Sequence, residues 1–171
     1  MEHGAAVECG LDIDAPCERV FDVIHNYSTR LRWDTMLSKA LIVDGSPEAG
    51  PGVRTLCVGR SGLAGLGMET VYISFDRPRV AAVRMKRGPW FISDFAASIR
   101  HIPTEGTENQ SRVIYKFRVT ARPTWLRAIA DPVLRFLFQR ETRQRLESLK
   151  RYIECQSSTS REKTLQPDLS A

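Results

Sequence analysis

The chain opens on a strict alternation. Val7, Cys9, Leu11 and Ile13 are apolar, with Glu8, Gly10, Asp12 and Asp14 between and after them. This is the period-two pattern of a strand with one face buried. Ala15-Pro16 ends it, and Pro16 suits the first turn of a helix, where its missing N–H would be unpaired anyway. Glu18 favours the positive end of that helix. Val20, Phe21 and Ile24 then lay one apolar stripe along it. Asn26 punctuates the helix, and Ser28 can cap a second short one running through Leu31 to Trp33.

Short strands follow. The pattern predicts them at Lys39 to Val43, Arg54 to Val58, Glu69 to Phe75, Ala81 to Met85, Ser93 to Ile99 and Val113 to Val119. Turn signals separate them, among them Asp44-Gly45-Ser46-Pro47, Gly50-Pro51-Gly52 and Arg77-Pro78. After Pro123 the period changes. Asp131-Pro132 reads as a helix start, and Leu134, Phe138, Thr142, Leu146, Leu149 and Ile153 lie three or four apart behind it. Trp125 to Ala130 is either a separate turn or part of that helix. From Cys155 the chain is rich in Ser, Thr and charge, which predicts a disordered tail over 155–171. The expected fold is α+β in one domain, residues 1–154. A curved antiparallel sheet wraps a long C-terminal helix, the only element long enough to cover it, and two short helices follow the first strand.

Composition narrows the class. At 171 residues, 42% hydrophobic and 26% charged, the chain can bury a core without staples. No stretch reaches the ~18 apolar residues of a membrane span, and Met1 to Glu8 lacks the apolar core of a signal peptide. Four scattered cysteines, Cys9, Cys17, Cys57 and Cys155, with no C-x-x-C among them, read as reduced thiols. A cytoplasmic protein is expected. Net charge is +5, and the stretch from Arg122 to Arg151 alone holds eight bases and three acids. Arg135, Arg143, Lys150 and Arg151 fall off the apolar stripe, so a transient contact with an anionic membrane surface is one possible use of them. Recognition of nucleic acid would need interleaved exposed aromatics, for which only Trp125, Phe136 and Tyr152 offer themselves.

Leu11-Asp12-Ile13-Asp14-Ala15-Pro16, Glu18-Arg19-Val20-Phe21-Asp22-Val23-Ile24 and Arg32-Trp33-Asp34 together resemble the opening of the START-like (SRPBCC) superfamily. Within it the chain looks like the bacterial polyketide cyclase/dehydrase and lipid-transport branch, which also holds coenzyme-Q-binding proteins. The resemblance runs from about Val7 to Ile153. It implies a helix-grip: a sheet and a C-terminal helix closing on an apolar cavity that takes a small hydrophobic ligand, whether lipid, quinone or polyketide-like. It leaves open whether the chain transports, sequesters or presents that ligand or acts on it as a cyclase or dehydratase, because fold alone does not fix function. An adaptor using the basic helix on a membrane or nucleic acid stays as a third class.

Strand phase and this resemblance together pick a lining set. Val71, Ile73, Val83, Met85, Phe95, Tyr115 and Phe117 come from the sheet, Leu134 and Phe138 from the helix, with Trp33 and Glu69 near the entrance. If the protein is catalytic, Glu69 and Tyr115 are the candidates. Glu69 shares the phase of Val71 and would be paired, exposed at the mouth or raised in pKa. Tyr115 could orient a carbonyl with its hydroxyl or merely fill core. His25, ending the first helix, reads as an exposed residue favoured in its charged form by the helix dipole. His101 reads as structural, near a strand end. The glycines at 59, 62, 65 and 67 form neither dinucleotide nor phosphate motif and suit a hairpin or flap over a cavity mouth. Ser61 does not sit in a nucleophile elbow. The scattered His3, His25 and His101 have no ligand spacing, so neither metal nor cofactor is expected.

Overall fold

A computed structural model describes residues 5–60, 65–107 and 109–165, with side chains to 157. Its elements run β1 (Val7–Ile13), α1 (Cys17–His25), a 3-10 turn (Arg30–Arg32), β2 (Leu37–Ile42), β3 (Arg54–Gly59), β4 (Gly67–Asp76), β5 (Val80–Arg87), β6 (Ile92–Pro103), β7 (Ser111–Ala121), a second 3-10 turn (Thr124–Leu126) and α2 (Arg127–Leu165). The strands make one sheet in the order β1-β7-β6-β5-β4-β3-β2, with every pairing antiparallel. Strands β2 to β7 form a simple meander. β1 closes onto β7, so the first and last strands of the chain lie side by side.

The sheet curls into a half-barrel and α2 packs across β1 and β7, while α1 packs on β6. This is the helix-grip arrangement of the α+β class. Where the strands alternate they do so cleanly: Val113, Tyr115, Phe117 and Val119 are buried and Arg112, Lys116 and Arg118 are not. From α2 the stripe Leu134, Leu146, Leu149 and Ile153 seals against Ile13, Phe117 and α1's Val20 and Ile24. Each such fully buried side chain contributes about 1.5–3 kcal/mol. The molecule thus has a firm core at the β1–β7–α2 side.

Three helix boundaries differ from expectation. Pro16 is the N-cap of α1 in extended conformation, not its first-turn residue. α2 begins at Arg127 and carries Pro132 inside it. Asp131 does not cap this helix. Its carboxylate instead accepts the Ala121 backbone N–H at 2.6 Å, anchoring the helix to the end of β7. At the far end α2 continues to Leu165, so residues 155–165 are helical where a disordered tail was expected. Residues 166–171 lie outside the described residues. Among the described residues no helix is long and apolar enough to cross a membrane.

Candidate functional site

Between the sheet and α2 lies a cavity of about 130 Å³. β4 lines it with Met68, Thr70 and Tyr72, β5 with Ala81 and Val83, and β6 with Ile92, Phe95, Ala97 and Ile99. Tyr115 of β7 faces it, and α2 adds Phe138, Glu141, Thr142 and Arg145. Apolar walls with a few convergent polar groups are the usual make-up of a small-molecule site.

The polar groups fall into two sets. Under α1, His25 Nδ1 lies 2.8 Å from the Tyr72 hydroxyl, and that hydroxyl lies 3.3 Å from the Tyr27 hydroxyl. Tyr27 donates to Thr55 at 3.2 Å, and Thr55 meets Thr70 at 3.0 Å. His25 Nε2 is buried with no hydrogen-bond partner among the described residues. Burial, reinforced by nearby Arg30 and His101, drives the His25 imidazole well below its ordinary value. Burial likewise pushes the Tyr72 phenol well above its own. The pair is therefore a neutral imidazole against a neutral phenol, able to give or accept a hydrogen bond from an uncharged ligand oxygen. His25 and Tyr27 also line a second cleft of about 750 Å³ beside β2, so they stand as a partition between the two spaces.

The second set is a buried ion triad. Asp34, fully buried, accepts from Arg30 Nε and from Arg145 Nε, each at 3.0 Å. Arg30 also donates to the Ile24 carbonyl, and its guanidinium lies 4.5 Å from the centre of the Trp33 ring. Burial alone would raise the Asp34 carboxyl. The Arg145 and Arg30 guanidiniums overcome that and hold it below the usual carboxylate range. Two cations on one carboxylate leave a net positive charge at the cavity wall. Beside it, burial raises the Glu141 carboxyl despite Arg145, and burial also raises the Tyr115 hydroxyl.

Of the lining set expected from sequence, Val83, Phe95, Tyr115 and Phe138 face the cavity. Met85 packs against the core beside them, while Phe117 and Leu134 lie in the core proper. Trp33 is also core, 2% exposed, and its indole N–H donates to the Val23 carbonyl at 3.3 Å, so it is not an entrance residue. The phase of β4 is reversed from expectation. Met68, Thr70 and Tyr72 point inward, and Glu69, Val71 and Ile73 point to the outer face, where Ile73 is 60% exposed. Glu69 there pairs with Arg54 at 3.2 Å and does not line the cavity. A register shift between Tyr72 and Ser74 returns Phe75 to the buried side against Phe21.

His25 is a further correction. It is buried and uncharged where an exposed, charged cap was expected. His101 is buried and packed edge-on to Phe21. Glu141, Arg145, Arg30, Tyr72 and Tyr27 were not singled out from sequence. For the α2 pair a signal existed, since Glu141 and Arg145 follow Phe138 by three and seven residues on the same helix face. The glycine-rich loop joins β3 to β4 as a hairpin, with Gly65 at a positive φ of 76° and with Gly59 and Leu66 against the cavity. Ser61 and its neighbours to Ala64 lie outside the described residues. Among the described residues no group of three His, Cys, Asp or Glu could hold a metal ion.

The family model described as polyketide cyclase/dehydrase and lipid transport matches residues 6–154. No curated protein sequence matches the chain. Solved structures do. A START superfamily protein from Mycobacterium smegmatis superposes with a TM-score of 0.72 at 9% identity, over 88% of this chain and 98% of that one. A protein from Thermus thermophilus gives 0.74 at 14%, over 90% and 99%. The ZhuI aromatase/cyclase from a Streptomyces species gives 0.73 at 14%, over 88% and 93%. Identities this low speak for the fold alone.

Proposed function

The chain belongs to the polyketide cyclase/dehydrase and lipid-transport family, and on that premise we propose that it binds one small apolar molecule carrying a ring and an uncharged oxygen. The ligand sits between the sheet and α2, held for transport, sequestration or presentation. One observation carries this reading: walls of Val83, Phe95, Ala97 and Phe138 lead to a neutral Tyr72–His25 pair. A ligand oxygen reaching the Tyr72 hydroxyl would exchange a hydrogen bond worth about 0.5–1.5 kcal/mol. A cavity of about 130 Å³ is close to the ~150 Å³ that accepts a benzene ring. One ring fits as the walls stand, and a larger quinone, lipid or polyketide requires them to part.

The test is an organic extract of the purified protein examined by mass spectrometry, then binding of the compound found. Where the extract is empty, a panel of quinones, fatty acids and aromatic polyketides serves as probe. Phe95→Trp and Tyr115→Trp should each weaken binding at least tenfold by filling the space. Unchanged binding in both variants would overturn the assignment of the cavity.

A second reading, a cyclase or dehydratase, draws support from the same pair and from Glu141. A neutral imidazole behind a phenol can take a proton, and a carboxyl raised by burial can give one. Glu69 has no part in it.

A further inference from the structure

Five of the most exposed large apolar side chains gather at one end of the molecule. Trp90 is 78% exposed, Trp125 80%, Ile129 70%, Phe136 65% and Val133 52%. Antiparallel order puts the β3–β4, β5–β6 and β7–α2 connections at this end and α1 at the other. A backbone hydrogen bond joins the two segments that carry the tryptophans. The loop before β6 carries Trp90 and Phe91, and the Phe91 carbonyl accepts the Arg122 N–H at 2.7 Å, three residues before Trp125. Trp125, Ile129, Val133 and Phe136 then follow at helical spacing as one outward stripe, opposite the Leu134 and Phe138 face that packs on the core. Large apolar side chains grouped on a water-facing surface in this way mark an interaction site.

Its rim is basic. Lys86 and Arg87 at the end of β5, Arg122 after β7 and Arg140 on the stripe itself are all exposed. Of the acids near it, Asp131 is buried on the Ala121 N–H, Asp94 pairs with Arg84 at 3.5 Å and Glu69, opposite Arg87, pairs with Arg54 at 3.2 Å. Two of the four α2 bases that the sequence alone pointed to for a membrane contact are engaged elsewhere. Lys150 is bound to the Asp12 carbonyl and to Glu154, and Arg135 to the Asp131 carbonyl.

We propose that this end docks on an anionic lipid bilayer. Tryptophan prefers the headgroup level, aliphatic and Phe side chains the acyl boundary, and Lys and Arg the anionic surface, and the patch offers each in that arrangement. Docking sets the bilayer against the Gly59, Leu66 and Pro89 end of the cavity, the half-exposed end through which an apolar ligand would pass without crossing water. The proposal rests on surface residues and stands whether or not the cavity takes a ligand.

The full chain provides its own probe. Trp90 and Trp125 are exposed, and the third tryptophan, Trp33, is buried as a constant background. Vesicles of phosphatidylcholine alone and of phosphatidylcholine with phosphatidylglycerol are compared at low salt by co-sedimentation and by quenching with brominated lipid. Binding to the anionic vesicles only, with tryptophan quenching, is expected. Trp90→Ser/Trp125→Ser should lower partitioning at least tenfold and remove the quenching. Lys86→Gln/Arg87→Gln/Arg122→Gln should lower it by about a hundredfold, since each base near such a surface is worth about fivefold. All five side chains are exposed, so unchanged melting curves certify the fold of both variants. No partitioning, or partitioning that neither quenches tryptophan nor responds to the double substitution, overturns the proposal. So does a concentration-dependent dimer that Trp90→Ser/Trp125→Ser disperses, which would assign the face to a second copy of the chain.

Discussion

Phe21 is flanked by two histidines, His25 at 4.4 Å and His101 at 5.3 Å between ring centres. Both are buried, and three of their four ring nitrogens have no hydrogen-bond partner among the described residues. Here imidazole serves as a flat packing surface, which only its neutral form can do. Burial lowers the His101 pKa from 6.5 to about 4, and His25 shifts in the same direction. Because the folded pKa lies below the unfolded one, the unfolded chain binds the proton first as pH falls, so stability declines from about pH 6.5 downward and is flat above it. Between about pH 7.5 and about pH 5 the His101 share of that loss is about 2 kcal/mol. Urea unfolding at the two pH values should show it, and His101→Leu should remove most of that share. An identical pH slope in the variant would mean that His101 titrates normally.

At the scale of elements, the Arg30–Asp34–Arg145 triad joins the first 3-10 turn to the middle of α2 across 111 residues of sequence. Buried charges are costly when stranded. Asp34→Ala leaves two guanidiniums facing each other and should lose about 3–5 kcal/mol in denaturant unfolding. Adding Arg145→Met removes one stranded cation, so the double variant should lose less than the sum of the single losses. Strict additivity would show that the triad is not coupled. Nothing in Arg30-Leu31-Arg32-Trp33-Asp34 reveals this role, because local pattern does not say that α2 brings a second arginine. Local pattern did suffice for the number, order and antiparallel sense of the strands, and for the inward phase of β6 and β7, where apolar and charged positions alternate. It failed on β4, whose two faces are almost equally apolar: Val71 and Ile73 outside, Met68 and Tyr72 inside. The register shift near Ser74, invisible in sequence, made Phe75 look like the guide to the wrong face. Asp131 misled in a similar way, being a helix-start residue that bonds to β7 instead.

Taken as a whole, the molecule sets its firm packing and its open packing apart. The β1–β7–α2 side is closed by fully buried Ile13, Val113, Phe117, Leu149 and Ile153. On the β4–β5 side, Phe138, Glu141, Thr142 and Arg145 of α2 border the cavity. The unfilled space is therefore a property of the fold's curvature, with the Tyr72–His25 pair as its neutral hydrogen-bonding end. That asymmetry makes a discriminating prediction about ligands. A ring bearing a hydroxyl or carbonyl should raise the melting temperature more than the same ring without it, by the equivalent of about 0.5–1.5 kcal/mol, the net worth of one hydrogen bond. Tyr72→Phe should erase that difference and leave the affinity of the plain ring unchanged, since the apolar walls are untouched. If the oxygen-bearing ligand keeps its advantage in the variant, recognition lies instead at Tyr115 and the Arg145 end. Should turnover of a polyketide-like substrate be found, the same substitution separates the two readings of the site. A role in binding alone lowers affinity and turnover together, whereas proton transfer through the His25 pair lowers kcat at least tenfold with affinity nearly retained.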